Sequence, residues 1–176
     1  TTAANQPKIV NAGSLVSGGI KFTASSPTLL ETASGVQAVN QTTGAFTAFG
    51  VLSFDDTSGD YMALSNDNTS RVVQIFRGKA GVPQSTTLGD PISTKIDTGP
   101  SYTAGEEILL TTLSTGNSGT LEVFNNGSSN GSTSLSVPQA TSAALIIMGN
   151  RVRLPTSSLP MNGNISELIV YASDQS

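Results

Sequence analysis

The sequence has no cysteine, no histidine and no tryptophan, and only 11% of its residues are charged. Without cysteine there are neither disulfides nor thiolate metal sites. A chain without histidine contains neither the usual general base nor the commonest transition-metal ligand, and it can form no Ser-His or Cys-His catalytic arrangement. These absences argue against most hydrolytic and transition-metal chemistry.

Neither the charge nor the apolar runs suit a nucleic acid or a membrane. The net charge is −4, and the eight Lys and Arg residues are scattered apart from small groups, whereas affinity for DNA depends on clustered basic residues. The longest apolar stretch, Ala143–Met148, has the length of a strand and falls far short of the roughly 18 residues of a membrane span. We therefore predict neither a nucleic acid nor a membrane as a partner.

Small and polar residues dominate what is present. The 18 glycines and many Ser, Thr and Asn residues supply turns and β-branched Thr, while 36% of the residues are hydrophobic. No stretch shows the spacing of an amphipathic helix of two or more turns, so the composition favours an all-β protein. A length of 176 residues without a linker or repeat predicts a single domain over residues 1–176.

Strand and turn signals alternate along the chain at the spacing of a sandwich or jelly roll. The strongest early strand is Ala45–Phe54, whose even-numbered residues share one face. Thr120–Asn125 precedes the Asn-Gly pair at 126–127, which is a two-residue hairpin signal. The stretch Gly78–Thr103 contains three prolines, and we predict mainly loop there, with short edge pieces.

A closing strand follows the Asn-Gly turn at 162–163. It mixes β-branched, aliphatic and aromatic residues that suit a pleated surface. Strict alternation puts Ile165, Glu167, Ile169 and Tyr171 on one face. Both faces are mainly apolar, so the sequence predicts a strand covered on both sides, with Tyr171 packed inside the sandwich.

Four segments, in order, resemble strands of concanavalin A-like (laminin G-like) jelly-roll domains. They are Ile20-Lys21-Phe22 with Leu29-Leu30-Glu31-Thr32, the long strand Ala45–Leu52, the hairpin Leu121–Gly127, and Leu145–Arg151 followed by Met161–Glu167. The last segment begins the closing pattern G-x-I-x-E-x-x-x-Y. This resemblance implies a two-sheet antiparallel jelly-roll sandwich.

The opening residues Thr1–Gly13 (TTAANQPKIVNAG) resemble a segment of bacteriophage-encoded members of this superfamily. There the segment tends to follow a W-Y-D-Q-S-G-N-G stretch, which is missing here. The sequence shows no signal peptide, and it leaves alternatives open. Thr1 follows an excised initiator Met, or the chain is a processed piece of a longer or secreted protein.

Carboxylate chemistry is the enzymatic alternative that the composition still allows. Jelly-roll glycosidases place paired carboxylates on one strand face with a spacing such as E-x-D-x-E, and no glutamate here has an acidic neighbour two residues away. Family members normally carry a glutamate at the position of Glu167. We interpret Glu167 as an acceptor for backbone amides or as the partner of an arginine such as Arg151. A catalytic role for Glu167 would need a second carboxylate close to it. The sequence offers only Asp55, Asp56 and Asp60, and nothing in their spacing forces them near Glu167. We therefore predict no catalytic residue.

Two acidic segments raise the hypothesis of a calcium site. Asp55, Asp56 and Asp60 lie in one, and Asp67 lies between two asparagines in the next. Calcium takes roughly six to eight oxygen ligands, and some members of the family bind it, although the spacing here is not that of an EF-hand. The alternative is two solvated turns whose Asp and Asn side chains form local hydrogen bonds.

Sugar binding requires an aromatic platform and a few fixed polar groups. Tyr61 and Tyr102 are the aromatic residues in polar, loop-like surroundings, and Arg71 and Arg77 lie near Tyr61 in the sequence. These four are our candidate glycan-binding residues. The absence of Trp argues against a strong lectin.

The favoured function is a non-catalytic structural or adhesion module on a bacteriophage particle, such as a capsid decoration or fibre protein. Three observations motivate it: the lack of His, the lack of paired carboxylates and the phage-like opening. Its partners would be virion proteins or copies of itself, joined through edge strands and loops on the virion surface. The alternative is a carbohydrate-binding module of a secreted or tail-associated protein, with a cell-surface glycan as its ligand. A glycosidase is the third interpretation.

Overall fold

The structure, a computed structural model, describes residues 10–11, 14–15, 19–25, 30–32, 39–40, 42–68, 71–89, 92–96, 101–134, 145–149 and 159–175. These residues form fourteen β-strands and no helix, and every strand pair is antiparallel. A bilayer-spanning apolar helix is accordingly not found in the described part of the chain. The all-β fold predicted from composition is confirmed.

In chain order the strands are β1 (Val10–Asn11), β2 (Ser14–Leu15), β3 (Ile20–Phe22), β4 (Leu30–Glu31), β5 (Phe46–Phe54), β6 (Asp60–Asn68), β7 (Arg71–Lys79), β8 (Val82–Gly89), β9 (Ile92–Ile96), β10 (Ile108–Ser114), β11 (Thr120–Asn125), β12 (Ser128–Ser134), β13 (Leu145–Met148) and β14 (Gly163–Tyr171). The first sheet has the spatial order β12-β11-β10-β5-β14-β3, and the second has the order β4-β13-β6-β7-β8-β9. Strands β1 and β2 form a separate ribbon. The predicted two-sheet sandwich is therefore present.

The core is built from the inward faces of the two sheets, and β5 supplies its centre. The even-numbered residues of β5 are buried, as alternation predicts for a strand that covers a core with one face. Phe46, Leu52 and Phe54 of this face join Phe76 and Leu64 from the second sheet in one apolar cluster. Removing so many large side chains from water is the main force that holds the sheets together.

The predicted hairpin between β11 and β12 forms at Asn126-Gly127. Both residues have positive φ angles, 49° and 77°, which the short hairpin turns require and which Asn and Gly adopt most readily. The backbone N–H of Asn126 also donates to the carbonyl of Leu109 at 2.8 Å. The dipeptide thus fixes the register of the hairpin against the neighbouring strand β10.

The prediction of mainly loop over Gly78–Thr103 is wrong at Val82–Gly89 and Ile92–Ile96, where β8 and β9 lie. Pro83 is part of β8 and pairs with Gly78 of β7. The register between β8 and β9 begins only at Ser85, so the N–H that Pro83 lacks is not needed for a ladder bond to β9. Pro91 and Pro100 lie outside the described residues.

The closing strand β14 pairs with β5 and β3, but a β-bulge changes its facing. Ile165 pairs with Leu52 and Glu167 pairs with the next residue, Val51, so Ser166 is the extra residue. Ile165 therefore faces the core with Leu168 and Val170. The prediction that Ile165 shares a face with Glu167, Ile169 and Tyr171 is wrong, because strict alternation fails at a bulge.

The prediction that β14 is covered on both sides is also wrong. Ile169 is 43% exposed and Tyr171 is 45% exposed, so Tyr171 lies on the outer surface of the first sheet and not inside the sandwich. Leu109 on the neighbouring part of this surface is 42% exposed. The apolar outer face of β14 meets solvent.

Candidate functional site

The turn between β5 and β6 is organised around the carboxylate of Asp56. Its Oδ1 accepts hydrogen bonds from the backbone and the hydroxyl of Ser58 at 2.9 and 3.0 Å and from the Gly59 N–H at 3.3 Å. Its Oδ2 accepts from the Tyr61 hydroxyl at 2.6 Å and from Asn162 Nδ2 at 3.2 Å. The bond from Tyr61 is the largest cause that lowers the pKa of Asp56 to about 2. This carboxylate holds the turn together.

The rings of Tyr61 and Tyr102 both pack against the ring of Phe54. The Tyr61 ring stacks on Phe54 with centroids 6.3 Å apart, and the Tyr102 ring lies 4.9 Å from Phe54. Burial raises the pKa of each tyrosine to about 12. Tyr102 lies between β9 and β10, as its loop-like sequence predicts, but it is only 4% exposed, so its ring is not on the surface as a glycan platform would be. Apolar packing on Phe54 outweighs the polar sequence around it.

Arg77 is engaged by Asp60. The Arg77 Nε donates to Asp60 Oδ1 at 2.6 Å, and a second guanidinium nitrogen donates to Oδ2 in the bidentate geometry that Arg favours. Tyr61 bonds to Asp56 instead, so the predicted glycan residues divide between two networks. Arg71 begins β7, opposite Asn68, and its side chain lies outside the described residues.

The acidic residues of the calcium hypothesis have three separate protein partners. Asp55 forms an ion pair with Lys21, Asp56 binds the Tyr61 hydroxyl, and Asp60 binds Arg77. Within the described residues no group of three acidic side chains lies together as metal ligands would. Asp67 pairs with Val72 through its backbone, and its side chain is not among those that the structure describes. Calcium binding stays a prediction.

A groove of about 230 Å³ lies on the outer face of the first sheet. Its lining comes from three adjacent strands, namely Phe49, Gly50 and Val51 of β5, Leu109 of β10, and Glu167 and Ile169 of β14. Phe49 and Val51 point outward because their neighbours on β5 face the core. The gap between them, over the backbone of Gly50, forms the groove, and its walls are the exposed side chains of the flanking strands.

Three aromatic side chains occupy the same outer face as the groove. One cross-strand row runs from Phe124 through Thr111 and Phe49 to Ile169. Tyr171 pairs with Thr47, so it is a diagonal neighbour of Phe49 on this face. Phe49 and Phe124 are half-buried and do not belong to the core cluster. The face therefore offers aromatic surface beside a shallow depression.

The charged groups on and beside the groove are acidic among the described residues. Glu167 lines the groove and is exposed. Glu107 precedes β10 and accepts a hydrogen bond from the hydroxyl of Ser166, the bulge residue next to Glu167. Glu122 pairs with Leu113 on the outer face of β11. The predicted partner of Glu167, Arg151, lies outside the described residues.

Sequence reasoning missed this face because it predicted that both faces of β14 are covered, with Tyr171 inside the sandwich. The strand pattern of β5 places Phe49 and Val51 on the non-core face, and Leu109 alternates with buried Ile108 and Leu110 in the same way. Apolar residues on the outer positions of two neighbouring strands are a signal that could have been followed. The bulge at Ser166, which turns Ile169 and Tyr171 toward the same surface, leaves no equivalent mark in the sequence.

Comparison with known proteins establishes the fold through structure and not through sequence. No protein-family model matches the chain, and neither does any curated protein sequence. The structure of the heptameric SAP-like pentraxin from Limulus polyphemus is similar over 100% of this chain and 80% of its own, with a TM-score of 0.64 and 14% identity.

Two further solved structures are similar. Domains LG4-5 of the mouse laminin alpha1 chain match 96% of this chain and 45% of that chain, with a TM-score of 0.66 and 13% identity. The Ruminococcus gnavus IT-sialidase CBM40, solved with alpha2,6 sialyllactose, matches over 84% of this chain and 92% of that one, with a TM-score of 0.63 and 14% identity. The chain has the concanavalin A-like jelly-roll fold, as its motifs predict.

Proposed function

We propose that this chain is a non-catalytic binding module that recognises a glycan on the outer face of its first sheet. The observation that carries the proposal is a groove lined by Phe49 and Glu167, on an outer face that also carries Phe124 and Tyr171. Aromatic rings pack against the apolar face of a pyranose, and a carboxylate accepts hydrogen bonds from its hydroxyls. Both groups stand on strands, which hold them in fixed positions.

The structural neighbours support the choice of a glycan as the ligand class. The Ruminococcus gnavus CBM40 was solved with sialyllactose, and a similar structure of botulinum neurotoxin type C concerns its interaction with two ganglioside molecules. These ligands belong to those proteins, and the identities of 14% and 11% relate them to this chain through the fold. A module of this kind would act where glycans are exposed, on a cell surface or outside cells.

The proposal is tested by measuring binding to an array of immobilised glycans and then determining Kd for the best neutral and acidic glycans by calorimetry. Tyr171→Ala removes an exposed ring and should weaken binding about tenfold. Lys79→Ala is the matched control, since Lys79 is an exposed residue of the second sheet and its removal should leave Kd unchanged. Melting temperatures of both variants check that the fold is intact.

Two results would overturn the proposal. One is the absence of binding to any glycan by the wild-type protein. The other is wild-type affinity in both Tyr171→Ala and Phe49→Ser, which would show that the ligand does not bind to this face. If Tyr61→Ala alone abolished binding while keeping the melting temperature, the site predicted from the sequence would replace the outer face.

A second candidate function is the structural or adhesion module of a virion, which the opening residues suggest. The exposed aliphatic side chains of Leu109 and Ile169 favour it, because apolar surface of this kind is often covered by another protein. Sedimentation of the purified protein discriminates between the two functions. Oligomers that dissociate in Ile169→Asp, together with a lack of glycan binding, would make this second function the better one.

A further inference from the structure

The charges of the outer face select among glycans. We infer that the groove binds neutral glycans and discriminates against acidic ones that carry a sialic or uronic acid, an inference that rests on the proposed glycan-binding function. Its basis is the set of ionised groups on the first sheet, whose six strands all have described side chains.

Acidic side chains flank the aromatic surface on both sides. Glu167 forms part of the groove wall on β14, and Glu107 lies beside it through its hydrogen bond with Ser166. Glu122 projects from the outer face of β11, in a row that runs through Leu113 and Thr47 to Tyr171. A ligand that covers the rings of Phe49 and Tyr171 therefore lies between carboxylates.

Positive charge is scarce on this sheet. Lys21 is the single basic residue in its six described strands, and it forms an ion pair with Asp55. Lys21 pairs with Asn164 of β14, which precedes the bulge, whereas Ile169 and Tyr171 follow it. The one basic side chain of these six described strands is thus already paired, and it lies toward the opposite end of β14 from Ile169 and Tyr171.

The consequence for a ligand follows from its own charge. The hydroxyls of a neutral sugar donate to a carboxylate such as Glu167 at no Coulombic cost. A sugar carboxylate in the same place meets a like charge, which opposes binding and is only partly screened by salt at this range. The groove therefore has the chemistry to prefer an uncharged pyranose.

The experiment compares matched pairs of oligosaccharides, lactose with sialyllactose and each neutral glycan bound on the array with its sialylated form, at about 20 and 500 mM NaCl. We expect the neutral member of each bound pair to bind about tenfold more tightly at low salt. The difference should shrink at high salt. Glu122→Gln, a change on the same face outside the groove lining, should reduce the discrimination about two- to threefold with the neutral Kd unchanged.

The possible results separate this inference from the function on which it rests. If no glycan binds, the proposed function fails and the inference fails with it. If acidic glycans bind as well as neutral ones or better, the inference alone is overturned. It is likewise overturned if Glu122→Gln and Glu167→Gln both leave the ratio of the two Kd values unchanged while the proteins melt at the wild-type temperature.

Discussion

The hydroxyl of Tyr61 donates a 2.6 Å hydrogen bond to Oδ2 of Asp56, five residues earlier in the chain. The bond joins the first turn of the β5–β6 connection to the strand that follows it. Asn162 donates to the same oxygen from the approach to β14. One carboxylate thus links two sheets at this end of the sandwich, since β6 belongs to the second sheet and β14 to the first.

Replacing Asp56 with Ala should lower the free energy of unfolding by about 2 to 3 kcal/mol, because a charged acceptor of several hydrogen bonds is lost. Asp55→Ala is the matched control, and it should cost less than about 1 kcal/mol because the pair with Lys21 is partly exposed. Urea denaturation followed by tyrosine fluorescence gives both values. Equal losses in the two variants would contradict the central role of Asp56.

The lowered pKa of Asp56 predicts a loss of stability in acid. In the unfolded chain the carboxyl takes up a proton near its usual pKa of 3.8, whereas the folded protein takes it up only near a pKa of about 2. The unfolded state therefore binds more protons between these values, and stability falls as the pH drops from about 4 to 2. Asp56→Asn should flatten this part of a plot of unfolding free energy against pH. An unchanged slope would disprove the linkage.

The two tyrosines predict a second loss of stability in alkali. The pKa values of Tyr61 and Tyr102 are raised from 10.0 to about 12, chiefly by burial. Between these values the unfolded chain releases protons that the folded protein retains, so stability is present below pH 10 and falls as the pH rises. Spectrophotometric titration of the phenols should show that Tyr61 and Tyr102 ionise late, close to pH 12.

Tyr102→Phe should leave the free energy of unfolding unchanged or raise it by up to about 1 kcal/mol. The Tyr102 hydroxyl is buried without a hydrogen-bond partner in the described structure, so removing it relieves a desolvation cost. Tyr61→Phe should instead lower the free energy of unfolding by about 1 to 3 kcal/mol, because the Tyr61 hydroxyl donates a hydrogen bond to the carboxylate of Asp56. A clear loss in Tyr102→Phe, measured by thermal melting, would indicate a partner for that hydroxyl.

Gly163→Ala should destabilise the protein by about 3 kcal/mol or more. A Cβ atom at Gly163 would lie 1.9 Å from the backbone oxygen of Ser53, and the backbone at the start of β14 would have to move. Gly127→Ala is the control, since a Cβ there meets nothing within 4 Å, and it should cost about 1 kcal/mol for the positive φ angle alone. Melting curves of the two variants test the difference.

The fold could be predicted where local chemistry and alternation agree. The alternation of β5 specifies one buried face, and Asn126-Gly127 specifies the turn between β11 and β12. The strands β8 and β9 were not predicted, because a proline such as Pro83 lacks the N–H that a central strand usually needs. It is tolerated here because the pairing of β8 with β9 begins only at Ser85. Tertiary pairing decided that case, and a single sequence does not display it.

The candidate site was less predictable than the fold. Polar flanking residues made Tyr102 a candidate glycan-binding residue, but its ring packs on Phe54 and is buried. The outer face depends on a bulge at Ser166 that reverses the facing of the rest of β14. A one-residue shift of this kind moves every later side chain to the other surface.

Strand β14 lies between β3 and β5 in the first sheet, although it follows all the other described strands in the chain. A ribosome therefore delivers β3 and β5 long before the segment that joins them, and until then β5 lacks its partner along one side. Nascent chains at this stage display unsatisfied backbone groups and a hydrophobic edge, which is where chaperones bind and where aggregation starts. Premature termination before residue 163 would leave the protein permanently in this vulnerable condition.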